Sequence, residues 1–294
     1  MKSVITNDLE IFYHEYGPQE APTAILLHGF PYSSHSYYAV AEQLAQNGIR
    51  SIIPYLRGYG PTRFMSDETF RSGEQAALGA DLLALMDALS ISKPVLAGYD
   101  WGGRAACIVS ALWPQRVKGL VSCGAGYNIQ DIANAVNPVS PEEEMRYWYM
   151  YYFHTERGRE SLVSRRKEFC KFIWKIWSPS WRFDDETYEE SAASFENPDF
   201  VDIVVHSYRH RFGGVPGDPR FAEIEQKLAA QPKITVPTIV LQGRDDGVDP
   251  PNKEDLISEN FAAYYERNIL DGVGHNPPQE VPDAFADFVM KLFD

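Results

Sequence analysis

The sequence predicts an α/β fold, a mostly parallel sheet with helices on both faces and one helical insert. Three observations predict it. Short continuous apolar runs, as strands buried on both faces require, alternate with stretches of helical spacing up to residue 125. The alternation stops between residues 128 and 233, where long aromatic and charged helix-like stretches hold no buried strand. It resumes from residue 234 to the C-terminus.

Taken in order, Leu9–Glu15 alternates as a half-exposed strand, and Thr23–Leu27 is a short apolar run suited to a buried parallel strand. Ser36–Gln46 has helical spacing and Arg50–Pro54 is again a buried strand. Ser72–Leu89 reads as a helix, Pro94–Gly98 as a strand, Trp101–Leu112 as a helix and Val117–Cys123 as a strand. Within the insert, Glu142–Phe153, Leu162–Ile176 and Glu186–Phe195 look helical, and Pro and Gly cluster at Gly213–Pro219. Pro237–Gln242 and Tyr264–Leu270 are the last strands, and Val281–Phe293 is the last helix. The division that follows is a core domain of residues 1–127 and 234–294 and a helical cap, or lid, of residues 128–233. Open α/β sheets bind ligands at the carboxyl ends of their strands, so the insert is expected to cover the site.

Composition narrows the partners. Lys and Arg total 27 and Asp and Glu total 41, a net charge of −14. That balance argues against nucleic acid, which needs a basic face, and against docking on anionic membranes. Cys107, Cys123 and Cys170 are scattered, with no CxxC pair, which argues against a zinc site. No apolar run approaches the roughly 20 residues of a membrane span, and the first residues lack a signal-peptide pattern, so a cytoplasmic location is expected. Neither a dinucleotide fingerprint nor a P-loop is present, so no organic cofactor or metal is expected. The sequence does not choose between monomer and homodimer.

The chemistry concentrates in four segments. Pro94–Gly98 runs into Tyr99-Asp100-Trp101-Gly102-Gly103, so a strand enters a Gly-x-Asp-x-Gly turn before a helix. This is the plan of a nucleophile elbow, with Asp100 as the nucleophile. The sharp turn needs small neighbours, which Gly98 and Gly102 supply, and the helix N-terminus favours a carboxylate. An alternative for Asp100 alone is a helix N-cap. Leu27-His28-Gly29-Phe30-Pro31 follows a buried strand, where half of an oxyanion hole is expected. Gly272-Val273-Gly274-His275-Asn276 follows the last strand and offers a catalytic histidine. Gly243-Arg244-Asp245-Asp246-Gly247 follows the strand before it and offers the supporting acid. The spacing after Gly243 favours Asp246 over Asp245 and Asp249.

With these motifs in this order, the sequence resembles the epoxide hydrolase and dehalogenase branch of the α/β-hydrolase superfamily. The stretches His28 to Pro31 and Asp100 to Gly103 carry the resemblance most specifically, and Arg57-Gly58-Tyr59-Gly60 matches the loop after the fourth strand. The resemblance implies that Asp100 attacks an sp³ carbon to form an ester, which water activated by His275 then hydrolyses. It implies that Asp246 orients the imidazole, and that the amides of Phe30 and Trp101 form the oxyanion hole. His28 and Pro31 would shape the oxyanion loop and, with Arg104 and Tyr151, bind the substrate.

The leaving group depends on the cap. Epoxide hydrolases of this branch stabilise the alkoxide with two cap tyrosines. Ser207-Tyr208-Arg209 matches one, and counting back four from Phe153 gives Tyr149 for the other, with Tyr151 in reserve. The structural alternative is that these rings only fill a core. Haloalkane dehalogenases pair the tryptophan after the nucleophile with an asparagine or a second tryptophan; Trp101 is present, but Phe30 stands where the asparagine would be. Haloacetate dehalogenases use two arginines, and Arg104 fits one place while Trp101 occupies the other. Arg104 is thus either a substrate ligand or a solvated helix charge. The expected activity is epoxide opening to a vicinal diol, with dehalogenation of haloacids or haloalkanes as the alternative. The aromatic cap suggests a small, apolar substrate.

Overall fold

The computed structural model describes residues 1–294. In chain order the elements are β1 (Lys2–Ile5), β2 (Leu9–Tyr16), β3 (Thr23–Leu27), α1 (Tyr38–Gln46), β4 (Arg50–Pro54), β5 (Arg63–Phe64), α2 (Gln75–Ala88), β6 (Val95–Gly98), α3 (Asp100–Leu112) and β7 (Gly119–Cys123). Then come α4 (Pro141–Arg146), α5 (Trp148–His154), α6 (Glu156–Trp177), α7 (Asp185–Ala192), α8 (Phe200–Arg211) and α9 (Ala222–Ala229). The chain ends with β8 (Thr238–Gly243), β9 (Tyr265–Leu270), α10 (Pro277–Glu280) and α11 (Pro282–Lys291).

The strands form one sheet in the order β1-β2-β4-β3-β6-β7-β8-β9, with β5 paired to β2. Pairing is antiparallel at the β1-β2-β4 edge and parallel from β4 to β9. The apolar runs are the reason: Ile25, Leu26, Leu96, Val121 and Val240 have no exposed surface, so neither face of the central strands meets water. Each such side chain contributes about 1.5–3 kcal/mol, and Leu96→Ala would cost about 2–5 kcal/mol. Helices α2 and α3 approach closely because Gly79 has no side chain; a Cβ there would lie 2.4 Å from Ile108 Cγ2.

Several elements depart from the sequence reading. β1 was hidden by its shortness and exposure. The helix expected over Glu142–Phe153 breaks at Tyr147, whose φ/ψ of −90°/9° ends α4. α6 starts earlier than expected, at Glu156, because Thr155 caps it by accepting from the Gly158 N–H at 3.0 Å. α8 escaped notice because its β-branched Ile203-Val204-Val205 run reads as strand as easily as helix.

Helices α4 to α9 separate β7 from β8 in the chain. Their side chains meet the loops at the carboxyl ends of the parallel strands. Trp174 Nε1 donates to the Pro31 carbonyl at 2.7 Å, and Trp177 lies against His275 at 4.8 Å between ring centroids. Arg57 steadies the loop after β4: its guanidinium donates twice to Asp81, at 2.6 and 2.7 Å, and once to the Ser72 carbonyl at 2.8 Å.

Candidate active site

The turn between β6 and α3 places Asp100 at φ 49°, in the left-handed region that a non-glycine residue enters at a cost of about 1–3 kcal/mol. Its glycine neighbours make that turn possible. A Cβ on Gly98 would lie 2.5 Å from the Gly102 backbone, and one on Gly102 would lie 2.0 Å from the Leu27 carbonyl oxygen. Gly29 serves the same end from β3's loop, since a Cβ there would meet Asp100 Oδ1 at 2.4 Å. The strained carboxylate thus sits at the N-terminus of α3, where free amides and the helix dipole favour negative charge.

Asp100 has two distinct oxygens. Oδ1 accepts the Phe30 N–H at 2.6 Å, while Oδ2 lies 3.8 Å from His275 Nε2, too far for a hydrogen bond. His275 Nδ1 donates to Asp246 Oδ2 at 2.8 Å. The other Asp246 oxygen accepts the amides of Val248 and Asp249 at 2.9 and 3.0 Å, which fixes the carboxylate's direction. The histidine therefore keeps its Nε2 for the Asp100 side, and that atom is buried without a hydrogen-bond partner.

The electrostatics follow from this chain of charges. Burial alone would depress the His275 pKa, but Asp246 and Asp100 outweigh it and hold the imidazole well above its ordinary value. Burial would raise the Asp100 pKa, yet His275, Arg104 and the Phe30 N–H together hold it below the usual carboxylate range. Both shifts favour the charged pair, an imidazolium beside a carboxylate. Asp249, half-buried three residues on, is raised by burial and by the charge of Asp246.

Asp100 opens into a cavity of about 210 Å³ that Arg104, Gln130, Tyr149, Arg211 and Asp249 also line. Arg104 is 6% exposed and stands one helical turn beyond Asp100 on the same face of α3, so it is no solvated charge. Tyr149 and Tyr208 are buried and meet edge to face at 5.3 Å between centroids. Tyr208 also lies 5.5 Å from the Phe30 ring and 6.0 Å from Trp101, and its hydroxyl has no hydrogen-bond partner. Burial raises both phenols' pKa well above the ordinary value, with a smaller contribution from Asp100, so both stay protonated. The buried indole N–H groups of Trp101 and Trp177 likewise lack acceptors.

Two expected substrate contacts, His28 and Tyr151, are corrected. His28 faces away from the cavity: its Nδ1 donates to the Gly29 carbonyl at 3.1 Å and its Nε2 accepts the Leu56 N–H at 3.1 Å. Burial pushes its pKa down to about 4, as a ring that must accept through Nε2 requires. Pro31 offers its carbonyl to Trp174 Nε1 at 2.7 Å and so ties this loop to α6. Tyr151 is 41% exposed and its hydroxyl donates to Glu144. It lies two residues from Tyr149, about 200° around the helix, so both cannot face the cavity.

Other residues in the site were not singled out from sequence. Glu280 accepts from the Gly274 N–H at 2.6 Å, the Asn276 N–H at 2.9 Å and the Ser178 hydroxyl at 2.7 Å. Ser178 in turn accepts the His275 N–H at 3.0 Å, so the end of α6 holds the histidine loop. Glu280 was legible in principle, as an acid in the helix directly after the histidine. Ser178, Trp177 and Arg211 reach the site only through the docking of the 141–229 helices, which no local pattern encodes, and Gln130 is set there by Gln75 of α2.

Comparison with known proteins agrees with this architecture. Residues 22–279 match the model of the alpha/beta hydrolase fold family. A crystal structure of a candidate epoxide hydrolase from Klebsiella pneumoniae is 46% identical, covers 99% of this chain and 96% of its own, and superposes with a TM-score of 0.97. Epoxide hydrolase A of Mycobacterium tuberculosis is 25% identical over 98% of this chain and 97% of its own length. Epoxide hydrolase 4 of Mus musculus is 24% identical over 94% of this chain and 74% of its own length. No helix is long and apolar enough to cross a membrane. The chain belongs to the α/β-hydrolase superfamily, in the branch of the epoxide hydrolases.

Proposed function

We propose that the chain hydrolyses epoxides to vicinal diols through a covalent ester on Asp100, with residues 128–233 as a lid on a core of residues 1–127 and 234–294. The observation that carries this reading is the buried pair of phenols, Tyr149 on the wall of the Asp100 cavity and Tyr208 packed against it and against Phe30 and Trp101. Ring opening expels no group. It creates an alkoxide on the substrate itself, which needs proton donors at that place.

Asp100 Oδ2 attacks an oxirane carbon, the carbon–oxygen bond breaks, and a phenol gives its proton to the alkoxide. Esterification removes the Asp100 charge, one of the two that hold the His275 pKa up. The imidazolium then yields its proton to the phenolate and becomes a base. Its Nε2 takes a proton from water as the hydroxide adds to Asp100 Cγ. The oxyanion forms on Oδ1, which already accepts the Phe30 N–H, and the Trp101 amide is the second donor. Collapse breaks the bond from Cγ to the substrate-bound oxygen. The departing alkoxide takes the proton of the new Asp100 carboxyl group, and the imidazolium–carboxylate pair is restored.

The test offers purified protein aryl and alkyl epoxides beside fluoroacetate, chloroacetate and short haloalkanes, with Asp100→Asn as the blank. Diol lost in the variant is the expected result. A second reading, dehalogenation by the same nucleophile, is favoured by the two unpartnered indole N–H groups of Trp101 and Trp177, which could take a halide. Halide release without diol would select it.

A further inference from the structure

The cavity that holds Asp100 carries two guanidiniums on its wall; Asp100 and Asp249 act on them through space, but neither is ion-paired to them. The buried guanidinium of Arg57 is bonded twice to Asp81, but Arg104, equally buried, has no carboxylate within ion-pair distance, and its Nε has no acceptor at all. Arg211, from the end of α8, brings a second guanidinium to the same place. The Gln130 amide oxygen, turned toward both, accepts from Arg104 Nη2 at 3.1 Å and from Arg211 Nε at 3.2 Å. Gln130 is itself held fast: its N–H donates to Gln75 Oε1 at 2.8 Å, and its carbonyl accepts from Gln75 Nε2 at 3.2 Å. Two like charges are thus clamped around one neutral acceptor in a poorly solvated pocket, an arrangement that is costly unless an anion completes it.

The acidic groups of the cavity do not complete it. Asp100 is committed to His275 and the Phe30 N–H. Asp249 lines the wall without pairing to either arginine, and Asp131 is exposed at the rim, where it bonds Asn134. Arg211 and Gln130 also line an outer groove of about 470 Å³, so the pair stands where a molecule would pass from surface to nucleophile. A net charge of −14 disfavours anions at long range, but beyond roughly 8 Å that field is screened and the local guanidiniums dominate.

We infer that Arg104 and Arg211 form a carboxylate subsite, and that the substrate is a small epoxy acid with its oxirane presented to Asp100. The inference rests on the epoxide reading above and departs from the apolar substrate expected from the aromatic cap. The cavity, of about 210 Å³, has room for a small acid. The arginines hold a group that does not react, so they bind ground state and transition state alike. Their loss should therefore appear in KM more than in kcat.

The test compares oxirane-2-carboxylate with its neutral partners, oxirane-2-carboxamide and glycidol, and includes chloroacetate. The wild type should show a kcat/KM for the acid about 100-fold above that for glycidol. In Arg211→Gln that ratio should fall about 100-fold, through KM. Arg211 is only half-buried, so the variant should fold, and a thermal midpoint close to that of the wild type reports that it has. Glycidol and the amide turned over as well as the acid, or a ratio unchanged in the variant, would overturn the inference and leave the epoxide reading standing. Halide from chloroacetate with no diol from any epoxide would overturn both.

Discussion

His275 Nδ1 donates to Asp246 Oδ2 at 2.8 Å, a contact that brings together loops 29 residues apart and turns Nε2 toward Asp100. Removing the acceptor leaves the imidazole free to turn and to change tautomer. Asp246→Asn is expected to lower kcat about 10⁴-fold. The ester-forming step should suffer less, because it uses Asp100 and the phenols. A rapid burst of bound product followed by slow turnover, read by quenched flow, is the expected signature.

The imidazolium–carboxylate pair has a pH signature. The His275 pKa is raised in the fold, so its contribution to stability is complete below ~pH 6.5 and is lost as pH rises through the folded value. The Asp100 pKa is depressed, so its contribution is present above ~pH 3.9 and is lost as pH falls through the folded value. In Asp100→Asn one of the two charges that raise His275 is gone. The imidazole should titrate at a lower pH in this variant than in the wild type, as followed by its ring proton resonances.

Tyr208 separates function from stability. Its hydroxyl is buried with no partner, so Tyr208→Phe breaks no hydrogen bond and removes an unpaired polar group. The thermal midpoint should stay or rise, while kcat on an epoxide falls about 10²-fold. Turnover unchanged in this variant would mean that the ring is only a core residue.

Gly29 tests how tightly the nucleophile is held. Its Cβ in Gly29→Ala would meet Asp100 Oδ1 at 2.4 Å, so the carboxylate must shift. A displacement of that size is expected to cost about 10²-fold in kcat. Overpacking should cost about 1–3 kcal/mol in urea unfolding.

Glu280 organises the histidine loop through three accepted hydrogen bonds. Glu280→Ala leaves the Gly274 and Asn276 amides and the Ser178 hydroxyl without that acceptor. It should destabilise the fold by about 1–3 kcal/mol. Activity should fall as well, since the same loop carries His275, and both are measurable on one preparation.

The core was readable because its signals are local. Five-residue apolar runs such as Thr23–Leu27 can hardly be anything but buried strands, and Gly98 and Gly102 around Asp100 announce a turn that needs missing side chains. Asp100, Asp246 and His275 each sit directly after a strand, so their meeting follows from the sheet order alone. The 141–229 helices offered no such frame. Tyr149 and Tyr151 are indistinguishable in a run of aromatics until the helix is oriented. Arg211, Ser178 and Trp177 come to the site by tertiary docking, and α8 was obscured by its own β-branched residues. His28 was placed in the right loop, but its ring turns to the Gly29 and Leu56 backbone, because a motif gives position along the chain and not the direction of a side chain.

The central claim is the ester on Asp100, and one turnover in heavy-oxygen water tests it most directly. With enzyme in excess over an epoxide, the water oxygen should enter the carboxyl group of Asp100, and the first diol should leave unlabelled. Mass spectrometry of the Asp100 peptide and of the diol reads both. Label in the diol at the first turnover, with Asp100 unlabelled, would mean that water attacks the epoxide directly and would contradict the account.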